Sequence, residues 1–369
     1  MNKVRAGYKM TELGEIPIEW EVKRLEECTN KITDGSHTSP APVEISNYKI
    51  CTVANMKKYK LDLENSTNIS EEDYIRLIKN GCSAERGDVL LSKDGTVGKT
   101  LVYSQSGENI VFLSSIAIIR PQKNILLGEY LNQYLQETKT LERLSNTKTG
   151  SAIKRIVLKD IKNIKIIIPK IQEQERIASI LSTVDEQIDN VDALIEKNKE
   201  LKKGLMQTLL TKGIGHTKFK KTEIGEVPSE WYIKSIDEIT KEVYRYPTYY
   251  GIEYVEEGIA EIRGELLNDD ASIKKESFRY ISEKTAKKFP RTKLEGGDIV
   301  ISVRGTIGKV GYITEELAGS NITANLLRVS MNRNIMNEHF VKQLFLSDIM
   351  KRKFDEITTA TTIKTFKVP

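Results

Sequence analysis

Three cysteines and three histidines are all that 369 residues contain. Cys28, Cys51 and Cys82 are odd in number, widely spaced and confined to the first quarter of the chain. That pattern excludes a disulfide framework and fits a reduced, cytoplasmic setting. His37, His216 and His339 have no close His or Cys neighbour, so no structural zinc site is expected. No apolar run reaches the 18 or more residues needed to cross a bilayer, and even 164–171 is broken by Lys165, Pro169 and Lys170. A membrane is therefore not an expected partner. Lys3 and Arg5 have no apolar block behind them, so no secretory signal is expected either.

Prolines number nine and no two adjoin. The Asn-Pro-Pro-aromatic and Asp-Pro-Pro-Tyr runs of amino-methyl transfer are thus absent, as are Gly-x-Ser-x-Gly, His-Glu-x-x-His and a Pro-Asp start to a nuclease carboxylate cluster. Gly98-Lys99-Thr100 resembles the end of a phosphate-cradling loop, but the glycine required five residues earlier is Lys93. The residual reading is binding without chemistry: no catalytic residue, no metal ligand and no cofactor on this chain.

Lys and Arg total 57 against 52 Asp and Glu, a net charge of +5, which permits a polyanion partner and leaves local patches to decide. At roughly 150 residues per domain, the length favours two domains, each able to bury a core.

An internal repeat agrees with that count. Residues 8–27 read YKMTELGEIPIEWEVKRLEE and residues 219–238, 211 positions on, read FKKTEIGEVPSEWYIKSIDE. Residues 85–103 (ERGDVLLSKDGTVGKTLVY) match 295–313 (EGGDIVISVRGTIGKVGYI) at an offset of 210, and Ile153-Lys154 matches Ile363-Lys364 at the same offset inside Thr-rich stretches. The chain is one module, a connector and most of a second module. In the first copy 158–169 alternates Ile with Lys or Asn and reads as a strand. The second copy reaches Val368-Pro369 where that strand is expected, so about fifty residues of the second unit, its final strand and a second long helix, have no counterpart.

The connector, from Gln172 to about Lys212, has no proline and no glycine before Gly204, and reads as one helix. Ile177, Leu181, Val184, Ile188 and Val191 recur at spacings of 4, 3, 4 and 3, the seam of a coiled coil. The stripe slips once and resumes at Leu201 and Leu205, with Asn198 in the seam where a polar residue can fix register. About forty residues make a rod of roughly 60 Å. A one-sided apolar stripe calls for a second helix, from the unmatched part of the repeat, another copy of the chain, or another protein.

The repeated Gly-Asp, apolar run, Gly-Thr-x-Gly-Lys reads as strand, tight turn and strand. That turn presents Lys93, Thr96 and Lys99 in the first copy, and Arg304, Thr306 and Lys309 in the second, to a phosphate backbone. Asp94 and Arg304 differ at one place in a shared frame, as two differently tuned recognition modules would require. Two loops follow the repeated Trp segments. Asp34, Gly35, Ser36, His37 and Thr38 offer small polar groups, and the matching stretch has Arg245, Tyr246, Tyr249 and Tyr250, suited to reading base edges or lining a groove. The Thr-rich loops, with Thr147, Lys148, Ser151, Lys154 and Arg155 in one copy and Thr361 and Lys364 in the other, form a third candidate surface. Trp20 and Trp231 are expected as core anchors. Surface lysines on a ligand-free hairpin and packed tyrosines remain the plainer alternatives.

Together these residues resemble the specificity (S) subunit of type I restriction-modification systems. The likeness rests on Thr-Glu-x-Gly-Glu-x-Pro-x-x-Trp (11–20 and 222–231), on the paired Gly-Asp and Gly-Thr-x-Gly-Lys segments, and on Leu158-x-x-Ile161, Pro169, Glu173-Gln174, Ile177-Ala178, Leu181 and Asp185. It implies an α+β fold with two repeated mixed α/β target recognition domains, 1–170 and 213–369, joined by a coiled-coil-type helix, 171–212. Each domain is then expected to read half of an interrupted duplex DNA site, with the helix holding DNA methyltransferase subunits. S-adenosylmethionine, ATP and Mg are expected on those subunits and on a separate restriction/translocase subunit. The family pairs two antiparallel helices, and the second has no counterpart in this sequence, so self-association through the central helix enters as an expectation. The alternative is an inactive scaffold that only recruits a methyltransferase partner.

Overall fold

A computed structural model describes residues 4–105, 108–146, 155–245 and 251–357. The chain divides into two compact units, Met1–Val191 and Asp192–Pro369. The division falls within the central helix, whereas the expected boundaries at 170 and 212 set the helix apart as a segment of its own.

In the first unit a four-stranded antiparallel main sheet has the order Thr29–Asp34, Ile116–Pro121, Val89–Ser92, Thr100–Val102. Its middle strands are continuous apolar runs because both faces are covered. Val89, Leu91, Ala117 and Ile119 pack with Leu131 and Leu135 of the helix Gly128–Gln136. Leu90, Ile116 and Ile118 face the other way, onto Cys51 and Phe112. Those two belong to a side sheet, in which Tyr48–Cys51 runs parallel to Asn109–Phe112 and antiparallel to Thr67–Asn68. All three cysteines are buried and free, and burial pushes the Cys51 thiol up to about 12, so the thiols are packing groups.

The second unit repeats the order as Thr240–Arg245, Leu326–Met331, Ile299–Ser302, Val310–Tyr312. It again has a side sheet with one parallel pair, Ile259–Ile262 beside Asn321–Ile322. One pair in that register changes character. Ile50 lies opposite Val111 in the first unit, and Glu261 lies opposite Asn321 in the second. Glu261 Oε2 and Asn321 Oδ1 are buried without a partner, and burial raises the Glu261 carboxyl above its ordinary range.

Residues 158–169 are not one strand. Leu158–Lys162 is a short helix and Lys165–Ile168 a strand, because Leu158 and Ile161 stand three apart and Ile161 turns into the core. The strand Lys165–Ile168 pairs antiparallel with Glu21–Arg24. The central helix is continuous over Ile171–Lys212, 42 residues and about 63 Å at 1.5 Å per residue. Its start is fixed by buried Gln174. That side chain accepts from the Leu127 N–H at 3.0 Å and donates to the carbonyls of Ile125 and Pro169 at 2.8 and 2.9 Å.

Of the seam, Ile177 packs on the first core, while Leu181, Val184, Ile188, Val191, Leu201 and Leu205 are exposed. Asn198 donates to the Leu194 carbonyl of its own helix at 2.8 Å. The tryptophans are not core anchors. Both are half-buried, and Trp20 Nε1 donates to Glu173 Oε2 at 2.8 Å, clamping the start of the central helix from its surface. No helix among the described residues is long and apolar enough to cross a membrane.

Candidate nucleic-acid interface

Each main-sheet hairpin is closed by a buried serine. Ser92 Oγ accepts from the Lys99 N–H at 2.8 Å and donates to the Thr96 carbonyl at 2.5 Å, while the Gly98 N–H donates to the Ser92 carbonyl at 3.0 Å. Ser302 makes the same bonds to Lys309 and Thr306, at 2.8 and 2.5 Å, and its carbonyl accepts from Gly308 at 2.9 Å. Gly95 and Gly305 sit at φ of 70° and 75°, the left-handed turn region that favours glycine. The two turns thus share one frame, and their tips vary. Thr96 and Lys99 are exposed at the first, and Arg304 and Thr306 at the second. Lys309 is half-buried, its Nζ donating to the Leu267 carbonyl at 3.3 Å.

A second shared support lies beneath each hairpin. Asp88 takes a two-pronged contact from Arg120, at 3.0 and 2.9 Å, and Asp298 accepts from Arg328 Nε at 2.7 Å. Both carboxylates are buried. The Asp88 carboxylate, with Glu85 beside it, holds the Arg120 guanidinium above its ordinary range. Ser92 and Ser302 stand inside the matched segments, so their offset of 210 is a readable signal. Arg120 and Arg328 lie outside those segments, and no pattern in the sequence marks them.

The hairpin turn does not present Lys93. Its side chain is 3 % exposed and its Nζ lies 2.9 Å from Asp34 Oδ2. Val303 takes this place in the second copy and is buried in the core. Asp34 also lies 3.4 Å from His37 Nε2, and Arg155 Nε lies 3.1 Å from Asp94 Oδ1. The Ile156 N–H donates to the Lys93 carbonyl at 2.9 Å. Three segments far apart in sequence, 34–38, 93–99 and 155, therefore meet at one end of the first main sheet.

Within the 34–38 loop, His37 and Thr38 are exposed while Gly35 and Ser36 are buried. Ser36 Oγ donates to the Thr38 carbonyl at 2.7 Å, and the Ser36 N–H donates to the Phe112 carbonyl at 2.7 Å. Any side chain at Gly35 would meet that carbonyl, since an added Cβ would stand 2.0 Å from the Phe112 oxygen. In the second unit Arg245 Nε donates to the Ala324 carbonyl at 3.3 Å. Thr147, Lys148, Ser151, Lys154, Tyr246, Tyr249, Tyr250, Thr361 and Lys364 lie outside the described residues. Among the described residues, no group of three or more His, Cys, Asp or Glu side chains is placed to hold a metal ion.

The two units are thus duplicated α+β modules that share a hairpin frame and differ at the tips. The family profile of the type I restriction modification DNA specificity domain matches residues 17–202, and the chain belongs to that family. It is 28 % identical over 350 residues to the protein described as the MjaX type I restriction enzyme specificity subunit of Methanocaldococcus jannaschii, covering 91 % of this chain and 77 % of that one. Among solved structures, the type I restriction-modification S subunit from M. genitalium aligns with a TM-score of 0.52 at 16 % identity, over 94 % of this chain and 80 % of the other. A chain from a structure of type I restriction-modification complex assembly and conformational transition aligns at 0.56 with 15 % identity, over 95 % and 84 %. These two likenesses concern the fold.

Proposed function

We propose that this chain is the DNA-recognition subunit of a type I restriction-modification complex, in which each unit reads one half of an interrupted site. What supports the reading is the constant hairpin frame with variable tips: the same serine closure, and a buried Asp that accepts from an Arg of the neighbouring strand, carry Asp94 in one copy and Arg304 in the other. Phosphate contacts from Lys99, Lys309 and nearby donors position a module, and exchanged tip residues let two modules read different bases. His37 and Thr38 in the first unit and Arg245 in the second join these recognition surfaces.

The central helix, about 63 Å long, sets the interval between half-sites and offers its exposed seam to DNA methyltransferase subunits. Methylation, translocation and cleavage belong to partner subunits, which carry S-adenosylmethionine, ATP and Mg, while this chain supplies binding alone. Selection from a random duplex pool, with a methyltransferase subunit present, tests the reading. The expected product is one two-part sequence with a fixed interval, retained with a steep dependence on salt. A pool that stays random while the methyltransferase subunit remains bound would favour a recruiting scaffold.

A further inference from the structure

In the first unit a short turn reaches from the core to the central helix. Met56 pairs with Leu61 at its base, both buried beside Cys51 and Phe112. The Lys57 N–H donates to the Lys60 carbonyl at 3.0 Å, and buried Asn55 donates to the carbonyls of Asp62 and Asn65 at 3.1 and 3.0 Å. The base is thus fixed, and the tip is Lys58 and Tyr59. Lys58 Nζ donates to Asp189 Oδ1 of the central helix at 2.5 Å. The Tyr59 hydroxyl shares that carboxylate, and Lys58 and then Tyr59 hold it below its ordinary range.

Asp189 stands where the helix needs a hold. Gln174 and Ala178 are the buried residues of the helix, Asp185 accepts from Gln133 at 3.0 Å, and Asp189 comes next. These four recur at spacings of 4, 7 and 4, which places them on one face of the helix, beside the seam. From Ala178, the last buried residue, to Asp189 the rod runs roughly 16 Å at 1.5 Å per residue. An exposed ion pair at that distance adds little stability, but two donors on one carboxylate fix a direction.

The second unit builds the same turn with the opposite charge. Leu267 pairs with Ile273 at a buried base, the Asn268 N–H donates to the Ser272 carbonyl at 3.0 Å, and Asp269 and Asp270 stand at the tip. Asp270 is held below its ordinary range by bonds from Ser272 and, further, by the Lys202 ammonium of the central helix. The helix is charged to match. Between Arg176 and Lys197 it carries acids and no base, and Lys197, Lys199, Lys202 and Lys203 follow. We propose that the two turns are braces that set the angle of each recognition unit on its own stretch of helix, with Lys58, Tyr59 and Asp189 as positioning residues for the interval between half-sites. Reversed charges keep the basic turn on the acidic stretch and the acidic turn on the basic one. The braces need no base contact, while their effect on the interval rests on the DNA reading.

Asp189→Lys sets like charges against each other, and adding Lys58→Asp restores the pair in reverse. The native cysteines are buried, so spin labels go on Lys79→Cys and Gln187→Cys, both exposed and both in the first unit. One narrow label-to-label distance is expected in the otherwise wild-type chain, a broadened distribution with Asp189→Lys, and a narrow one again in the double swap, with melting unchanged throughout. In selection from random duplexes with a methyltransferase subunit present, Asp189→Lys is expected to keep both half-sites and lose the single interval, which spreads by about one base pair to either side. The double swap restores it. Distances that stay narrow with Asp189→Lys, or broadened distances with an unchanged interval, would overturn the proposal. A wild-type chain that enriches no half-site would refute the DNA reading alone, and the label distances would still decide the braces.

Discussion

Lys93→Met separates a structural lysine from a phosphate-binding one. Its ammonium is 3 % exposed, its partner carboxylate on Asp34 is 13 % exposed, and they stand 2.9 Å apart. Removing one member of a buried ion pair costs about 3–5 kcal/mol, because the other is left charged and poorly solvated. Asp34 keeps some solvent and has His37 3.4 Å away, which places the expected loss near the lower bound, about 3 kcal/mol. In a unit of this size each kcal/mol moves the melting temperature by about 2–4 °C, so a drop of about 6–12 °C is expected by differential scanning calorimetry. The double variant Lys93→Met, Asp34→Leu removes both charges and is expected to recover most of the loss. Lys99→Met, at an exposed tip, should leave melting within about 0.5 kcal/mol of wild type. It should also reduce the salt slope of DNA binding by about 0.9. A Lys93→Met chain that melts like wild type but loses a unit of salt slope would refute this assignment and restore Lys93 to the phosphate-binding surface.

Ser92→Ala and Ser302→Ala each remove an acceptor from a hairpin amide and a donor to a turn carbonyl, so each should cost about 1–3 kcal/mol in urea denaturation. Unchanged midpoints would show that the turns close without them. Glu261 predicts a pH effect. Its folded-state carboxyl titrates above the unfolded value because it is buried, so the folded protein holds a proton that the unfolded chain releases. Stability contributed by the neutral carboxyl is present below the unfolded value and declines as pH rises through the raised one. Glu261→Gln should flatten that slope, and Glu261→Ile, restoring the residue type of Ile50, should stabilise the second unit by about 1–3 kcal/mol. A wild-type urea midpoint that is flat from acid to neutral pH would count against both.

The repeat, the hairpins and the central helix are legible in the sequence because each imposes a period or an offset that survives substitution. The Gly-Asp to Gly-Lys segment carries its turn glycines at fixed places, and Ile177 to Val191 keeps its 4-3 spacing. Direction is what the letters do not carry. Lys93 and Lys99 look alike as turn cations, yet Lys93 points at Asp34, 59 residues earlier, and only the pairing of distant strands brings those two together. The short helix Leu158–Lys162 is hidden because the Ile-Lys alternation that follows it is the louder signal. Trp20 misleads for a related reason: a large indole beside Pro and Glu suits a core, and its acceptor, Glu173, lies 153 residues away. Buried charge pairs such as Asp298–Arg328 leave no pattern, because their spacing depends on the intervening loops.

Two pools of duplexes, each built on the selected site with one half randomised and the other held fixed, test the separateness of the two units most directly. Adenine methylation by the assembled complex is measured on both pools, with the wild-type chain and with Arg304→Glu. The account predicts that the substitution alters which sequences are methylated in one pool only, leaving discrimination in the other at its wild-type level. Altered preferences in both halves, or in neither, would contradict it.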